Sequence, residues 1–252
     1  MRYYLCGISD MGDTRDNNED FFLINHSVTT NSSTECTLHS PFLTGVCDGV
    51  SSSNFGEIAA DMTLCELARI SYSSSVDLFR EIILIDKKLK RYGRRNPEAT
   101  NMQTTLCCIG IDENDILMCA NIGDSRMYIF AGGTIRQVTT DQSLMQYLCS
   151  AGRITTAEAE SHEKSSAIFP VLGNNDFSAN PDIFSLNCKM DFGDVIIICT
   201  DGFSDCLTDE EIEIGLSLEL TLKERLDTLI ELALERGSTD NITAVAICRS
   251  LD

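Results

Sequence analysis

The sequence lacks several features that mark common classes of protein. No apolar run approaches the roughly 20 residues that a membrane-spanning helix needs, and the first residues do not have the apolar core of a signal peptide. We find no internal repeat and no low-complexity tract in the 252 residues, of which 43% are hydrophobic. These absences predict a single domain over residues 1–252, and a soluble protein located in the cytoplasm.

Basic residues are scarce relative to acidic ones. The chain has 39 Asp and Glu against 19 Lys and Arg, which gives a formal net charge of -20. Because such a charge repels polyanions, it argues against nucleic acid or an anionic membrane as the main partner. A solvated acidic surface accounts for most of the excess, and the rest of the acids are candidate metal ligands.

None of the 12 cysteines stands in a motif that signals thiol chemistry. No pair has C-x-x-C spacing, and no cysteine has an arginine six positions later, the arrangement of cysteine-dependent phosphatases. Half of the cysteines lie inside apolar runs, where a thiol packs as a small hydrophobic group. We therefore expect a reduced protein without a thiolate metal site. A P-loop and a G-x-S-x-G elbow are also missing from the sequence.

Acids at the ends of strand-like apolar runs are the feature that the sequence does have. Asp48 and Gly49 follow one run and Asp201 follows another, whereas Glu19-Asp20 and Asp240 each precede a run. An Asp at a strand end directs a hard, anionic ligand out of a rigid sheet, and an adjoining glycine lets a backbone carbonyl approach the same ion. We expect these acids to be exposed. If the strand ends meet, they form an oxygen-lined site for divalent cations.

The polar loop 9–20 precedes the second predicted strand. It is dense in Asp and Asn, but it lacks the alternating ligands, central glycine and final Glu of an EF-hand. Arg15 is the one guanidinium among these acids, and a guanidinium can hold phosphate through two hydrogen bonds. A surface ion pair is the alternative interpretation of Arg15.

Periodicity and turn residues predict an α+β sandwich. The first half of the chain is predicted to contain strands at 3–9 and 21–24, a loop or irregular hairpin at 27–41, the Asp48 strand, and helices at 56–70 and 76–92, with a capping region at 51–54. The second half is predicted to contain a four-stranded antiparallel meander at 105–111, 116–122, 125–130 and 134–138, a helix at 141–160, an irregular segment at 161–185, two capping-box helices that start at about 209 and 222, and a last strand after Asp240.

Taken together, the motifs resemble a metal-dependent protein serine/threonine phosphatase of the PP2C (PPM) family, in its compact bacterial form. The matching residues are Gly12-x-x-Arg15-x-x-x-Glu19-Asp20, Asp48-Gly49 followed by Gly56-Glu57, Thr104-Thr105, Ala120 to Arg126, Asp201-Gly202, and Asp240 to Thr243. They occur in family order and span residues 10–243. Each motif is weak by itself, but the ordered set is specific.

The resemblance implies a fold, a cofactor and a role for each site residue. The implied fold is a four-layer sandwich of two antiparallel β-sheets flanked by helices, with a flap at about 151–185. Asp48 would bridge two Mg2+ or Mn2+ ions, the Gly49 carbonyl would join one ion, and Asp201 and Asp240 would join the other. Glu19 and Asp20 would act mainly through water, Arg15 would hold the phosphate, and Asp124 would help to bind a weaker third ion. The alternative for Asp124 is a turn residue.

The resemblance also implies phosphoprotein substrates, an opposing serine/threonine kinase and a monomeric enzyme. The alternative is a catalytically weak or silent member of the fold that binds a partner. The chain departs from the family pattern at Ser51-Ser52-Ser53, Gln103, Gln142 and Pro170. Its three histidines, His26, His39 and His162, lie in polar segments and are interpreted as surface residues.

Overall fold

A computed structural model describes residues 1–50, 55–143, 146, 148–149, 151–155, 170–186 and 189–250. This part of the chain contains twelve strands: β1 Arg2–Asp10, β2 Asp20–Ile24, β3 Ser27–Thr29, β4 Ser33–His39, β5 Phe42–Asp48, β6 Leu106–Ile111, β7 Leu117–Ile122, β8 Arg126–Ala131, β9 Thr134–Gln137, β10 Asp182–Ser185, β11 Val195–Cys199 and β12 Ile242–Arg249. Its α-helices with defined bounds are α1 Gly56–Leu67, α2 Leu78–Arg95, α3 Asp201–Ser204, α4 Asp209–Leu216 and α5 Leu222–Glu235.

The strands form two antiparallel sheets of six strands each. The first sheet has the order β4-β1-β12-β11-β8-β9, and the second has the order β10-β7-β6-β5-β2-β3. Apolar residues of α4 and α5 pack on the outer face of the first sheet, and those of α1 and α2 pack on the outer face of the second. The predicted four-layer sandwich is therefore confirmed.

The core between the two sheets explains why the central strands read as continuous apolar runs. Leu5, Val245 and Ile198 of the first sheet pack with Phe22 and Ile109 of the second, and all five are fully buried. Since the other face of each sheet is covered by helices, residues on both faces of a strand are buried. Every residue of β11 is buried for this reason.

Helix starts follow the predicted capping chemistry at α4 and α5. Thr208 and Thr221 each accept a hydrogen bond from the backbone N–H three residues on, and the carboxylate of the Glu at that position accepts one from the backbone N–H of the capping residue. At α1 the N-cap is Phe55, which has a left-handed φ of 65° and no side-chain cap. The expected capping region at 51–54 lies outside the described residues, and α1 ends at Leu67 rather than at residue 70.

Two predictions about strands are wrong. Residues 27–41 were predicted to form a loop or an irregular hairpin. They contain β3 and β4, which belong to different sheets. The polar composition of β4 hid it, because it is an edge strand that alternates exposed and half-buried residues. The predicted four-stranded meander is two hairpins in two sheets, since β8 pairs with β11 rather than with β7. The chain crosses from the second sheet to the first between β7 and β8, at Gly123. The φ of Gly123 is 106°, a conformation that glycine adopts readily.

The segment expected to be irregular also contains a strand. Residues 182–185 form β10, an edge strand beside β7, so the prediction for 161–185 is wrong at its end. Of the helix expected at 141–160, the described residues 151–154 form turns and bends, with a left-handed φ of 65° at Gly152, so that prediction is wrong there. Nine of its 20 residues, and residues 156–169 of the predicted flap, fall outside the described residues. Within the described ranges, the chain has no helix with both the length and the apolar content to span a bilayer.

Candidate metal centre

Antiparallel pairing brings the acidic strand ends to one end of the sandwich. Asp20 begins β2 and lies opposite Asp48, which ends β5. Asp201 follows the end of β11, and Asp240 precedes the start of β12, its antiparallel neighbour. Because one strand of an antiparallel pair ends where its partner begins, acids from four places in the sequence share this edge.

Close contacts join the acids of the two sheets. The Thr200 hydroxyl, directly after β11 of the first sheet, donates to Oδ2 of Asp20 in the second sheet at 2.6 Å. The carboxyl group of Asp201 lies close enough to that of Asp48 for its charge to raise the pKa of Asp48. With Asp124, which lies in the crossing between β7 and β8, and Asp240, these residues form a group that we call the acidic cluster: Asp20, Asp48, Asp124, Asp201 and Asp240.

The acidic cluster is more buried than the sequence predicted. Asp20 is 1% exposed and Asp48 is 9% exposed, so the expectation that these acids are exposed is wrong for both. Asp201, Asp124 and Asp240 are half-buried.

Burial and mutual repulsion raise the pKa values of four residues of the acidic cluster, Asp20, Asp48, Asp124 and Asp201. Burial raises the pKa of Asp48 well above its usual range, and the charges of Asp201 and Asp20 raise it further. Burial also raises the pKa of Asp201, to about 6, with the charge of Asp240 as the next cause. The pKa of Asp20 and that of Asp124 are raised in the same way, with burial as the main cause. Divalent cations would remove both the repulsion and the protons.

The donor chemistry fits Mg2+ or Mn2+. Oδ1 of Asp124 and Oδ1 of Asp201 are buried oxygens that accept no hydrogen bond, and buried carboxylate oxygens without donors are suitable ligands for a hard cation. In the described ranges, no group of three or more His, Cys, Asp or Glu side chains is arranged so that it could hold a metal ion by itself. Proteins commonly bind Mg2+ through one or two carboxylates, and water completes the coordination shell.

The backbone packs closely around Gly49, the proposed carbonyl ligand. A Cβ atom at Gly49 would lie 2.4 Å from the carbonyl carbon of Gly56 and 2.9 Å from Cβ of Glu19. The Gly49 N–H donates to the Glu19 carbonyl oxygen at 3.0 Å. Only glycine fits here, and the close approach holds Glu19 beside the end of β5.

Arg15 lies at the rim of the acidic cluster. Its Nη2 donates to Oδ2 of Asp240 at 2.6 Å, and its Nε donates to the carbonyl oxygen of Thr239 at 3.1 Å. The Arg15 side chain is 36% exposed. The ion-pair interpretation of Arg15 therefore describes a real contact, and the partner is one of the predicted metal ligands. A half-exposed guanidinium in this place can also contact an anion in solution.

Three threonines support the acidic cluster without having been assigned a role from the sequence. Thr104 donates through Oγ1 to the carbonyl oxygen of Asp48 at 2.8 Å, and Thr105 Oγ1 accepts from the Asp48 N–H at 3.0 Å. Thr200 holds Asp20. The sequence showed Thr104-Thr105 only as a motif and Thr200 only as the polar end of an apolar run.

Asn241 fastens the loop that carries Arg15 and Glu19. Its Nδ2 donates to the carbonyl oxygens of Met11 and Asn17, and its Oδ1 accepts from the Glu19 N–H at 2.8 Å. The sequence indicated Asn241 as part of a motif, but an amide that binds three backbone groups across more than 200 residues cannot be read from spacing.

Gln142 holds the turn that carries Asp124. It accepts from the Gly123 N–H through Oε1 at 3.0 Å, and its own N–H donates to the Gly123 carbonyl oxygen. Its Nε2 donates to Asp182 of β10. Among the other departures from the family pattern, the Gln103 carbonyl oxygen accepts from the Val50 N–H.

The histidines take no part in the acidic cluster where the structure describes them. His26 and His39 are exposed, as the sequence predicts for surface residues. His162 and the segment Ser51-Ser52-Ser53 lie outside the described residues.

Comparison with known proteins identifies the relatives of this chain. The sequence profile of the family described as Protein phosphatase 2C matches residues 36–244. The protein phosphatase PhpP of Streptococcus pneumoniae is 27% identical over 248 residues, which cover 95% of each chain. The crystal structure of the serine/threonine phosphatase Stp1 from Staphylococcus aureus has a TM-score of 0.82 and 30% identity, and covers 98% of this chain and 95% of that one. A structure of the catalytic domain of the serine threonine protein phosphatase PstP with two manganese ions has a TM-score of 0.77 and 27% identity, covering 98% and 99%.

Proposed function

The chain belongs to the protein phosphatase 2C family and is a metal-dependent serine/threonine protein phosphatase of the bacterial type, and we propose that its acidic cluster holds the two ions on which hydrolysis depends. The observation that carries this proposal is the convergence of five carboxyl groups from both sheets at one end of the sandwich. Buried oxygens of Asp124 and Asp201 without donors support it.

Each member of the acidic cluster has a proposed part. Asp48 would be a ligand to both Mg2+ or Mn2+ ions, and the Gly49 carbonyl would be a ligand to one of them. Asp201 and Asp240 would be ligands to the other ion. Asp124 would help to hold a weaker third ion. The close packing at Gly49 and the hydrogen bonds of the Asp48 backbone with Thr104 and Thr105 support these roles, because they fix the positions of Asp48 and Gly49.

Bound divalent ions supply neutralisation of phosphate charge and an activated water for in-line displacement. The side chains of the protein bind the phosphate and orient the water. Arg15 binds the phosphate oxygens at the rim, where its guanidinium is half-exposed and held by Thr239 and Asp240. Asp20 and Glu19 orient water in the centre, and Thr200 keeps the Asp20 carboxylate directed inward by donating to it.

The proposal has a direct experiment. The full chain, stripped with EDTA, should hydrolyse neither p-nitrophenyl phosphate nor a phosphothreonine peptide, and Mn2+ or Mg2+ should restore both activities. Asp201→Asn should abolish the restored activity, because removal of an anionic ligand weakens the binding of a hard cation. Normal turnover in EDTA, or in the Asp201→Asn variant, would overturn the assignment of the acidic cluster. A catalytically silent protein is not favoured, because the chain keeps Asp48, Asp201 and Asp240.

The cellular context is also part of the proposal. The substrates are phosphoproteins, and we infer that a serine/threonine kinase opposes the enzyme. Eleven cysteines of the described ranges are free thiols, which fits the reducing cytoplasm. We further propose a monomer with a single domain over residues 1–252 and a flap at about 151–185. Sedimentation velocity tests the first of these, with one species of about the 27.8 kDa chain mass expected.

A further inference from the structure

A buried ion pair on α2 has no part in the proposed chemistry. Oδ2 of Asp86 lies 2.7 Å from Nζ of Lys90, and the two side chains are only 6% and 13% exposed. Replacing a buried ion pair by apolar residues is often neutral or stabilising, since burial removes both charges from water. Stability alone is therefore a weak reason for this pair, and its other contacts indicate a second role.

Asp86 and Lys90 both hold the segment 171–177, which lies within the predicted flap at about 151–185. Oδ1 of Asp86 accepts from the Gly173 N–H at 2.9 Å, and Nζ of Lys90 donates to the Phe177 carbonyl oxygen at 2.7 Å. Gly173 has a φ of 84°, and a Cβ there would lie 2.3 Å from the carbonyl oxygen of Met102. The ion pair thus fixes this segment against the second sheet at a point where little displacement is possible.

Thr104 connects the segment 171–177 to the metal centre. Leu172 and Thr104 exchange two backbone hydrogen bonds, with N···O distances of 2.9 and 3.2 Å. Thr104 also forms a β-bridge with Gly49, and its hydroxyl donates to the Asp48 carbonyl oxygen at 2.8 Å. A path of hydrogen bonds and adjacent backbone therefore joins Asp86 to Asp48 and Gly49, two of the residues proposed as metal ligands.

We propose that the Asp86–Lys90 pair is a positioning group for the metal centre. It fixes Leu172 and Gly173, and through Thr104 it fixes the backbone of Asp48. This inference rests on the proposed function, in which Asp48 is a ligand. Groups that orient metal ligands change metal affinity about 10–100-fold when they are removed. Because Asp86 acts through intervening residues, we expect a loss at the low end of that range, about 10-fold.

Calorimetric titration of the EDTA-stripped full chain with Mn2+ tests this proposal without measuring activity. Asp86→Ala removes the acceptor for the Gly173 N–H and should weaken Mn2+ binding about 10-fold. Asp86→Asn keeps an acceptor oxygen and should bind Mn2+ within about threefold of wild type. Asp227→Ala removes another Asp–Lys pair at i,i+4 spacing, on α5, and should leave the affinity unchanged. Ile82→Val, which removes one buried methyl group from α2, is the control for lost stability alone.

The outcomes separate this inference from the proposed function. Tight Mn2+ binding by wild type with the same affinity in Asp86→Ala overturns this inference alone, and the ion pair then only stabilises the fold. A wild-type chain that binds no Mn2+ overturns both. If Asp86→Ala does not fold, hydrogen exchange on wild type decides, because coupling between two sites is reciprocal. Mn2+ should slow exchange at the Gly173 amide and leave α5 unchanged, and an unchanged Gly173 amide overturns the inference.

Discussion

Replacement of Thr200 by valine should destabilise the protein, because one hydroxyl satisfies two buried groups. Thr200 Oγ1 donates to Asp20 at 2.6 Å and accepts from the Thr243 N–H at 3.1 Å. Thr200 and Thr243 are fully buried, and Asp20 is 1% exposed. Valine has a similar shape and suits the extended backbone at this position. The variant therefore removes hydrogen bonds and leaves the packing in place.

The magnitude follows from the two groups that lose a partner. A buried polar group left without a hydrogen bond costs about 1–3 kcal/mol. Asp20 can reduce its part of this free-energy cost by taking up a proton. Burial already raises the pKa of Asp20, and loss of the Thr200 hydrogen bond, which lowers that pKa, would raise it further. We therefore expect a loss of about 2–4 kcal/mol in the free energy of unfolding. For a chain of this size that lowers Tm by roughly 5–12 °C.

Thermal and urea unfolding in EDTA measure this change by circular dichroism. Thr228→Val is the matched control, because Thr228 Oγ1 donates to the Glu224 carbonyl oxygen on the exposed surface of α5. The control should change the free energy of unfolding by less than about 0.5 kcal/mol. A Thr200→Val variant as stable as this control would refute the reasoning that Asp20 and the Thr243 N–H depend on one hydroxyl.

Three further predictions concern the acidic cluster and the thiols. Asp124→Ala should fold and keep the tight metal pair, yet lose most of its activity toward phosphoprotein and need more Mn2+ to recover it. A lower Tm with unchanged kinetics at each Mn2+ concentration would make Asp124 only a turn residue. Alkylation should leave activity unchanged in the folded enzyme, because thiols such as Cys47 and Cys107 are buried and burial raises their pKa; a loss without unfolding would contradict this. In EDTA, the folded-state pKa of Asp201, about 6, exceeds its ordinary value of 3.8, so its contribution to stability is present below pH 4 and decreases as the pH rises through 6. Asp201→Asn should gain stability relative to wild type over that interval, by on the order of 3 kcal/mol, and a constant difference from pH 4 to 7 would count against the raised pKa.

The sequence predicted the layers of the fold and most of the acidic cluster for a physical reason. Apolar runs that end in Asp48 or Asp201 mark both the strand and its end, and antiparallel pairing then places those ends together. The T-x-x-E boxes at Thr208 and Thr221 located two helix starts, because capping depends on residues within one turn.

The failures came from interactions between distant parts of the chain. Strand β4 is polar, so only its pairing with β1 reveals it. The crossing between sheets at Gly123 depends on which partner β8 finds, and local turn residues do not specify that partner. The burial of Asp20 and its bond to Thr200 join residues 180 positions apart in the chain. None of these contacts leaves a local signal in composition or spacing.

Counting the Mn2+ ions that the chain binds, with and without Asp48, is the most direct measurement of the proposed metal centre. Calorimetric titration of the EDTA-stripped wild type should give two tight sites, and the same titration of Asp48→Asn should lose tight binding at both, because one carboxylate is proposed to bridge the pair. Asp227→Asn, on the surface of α5, should keep both sites. Two tight sites retained in Asp48→Asn, with near-normal phosphatase turnover, would contradict the bridged pair.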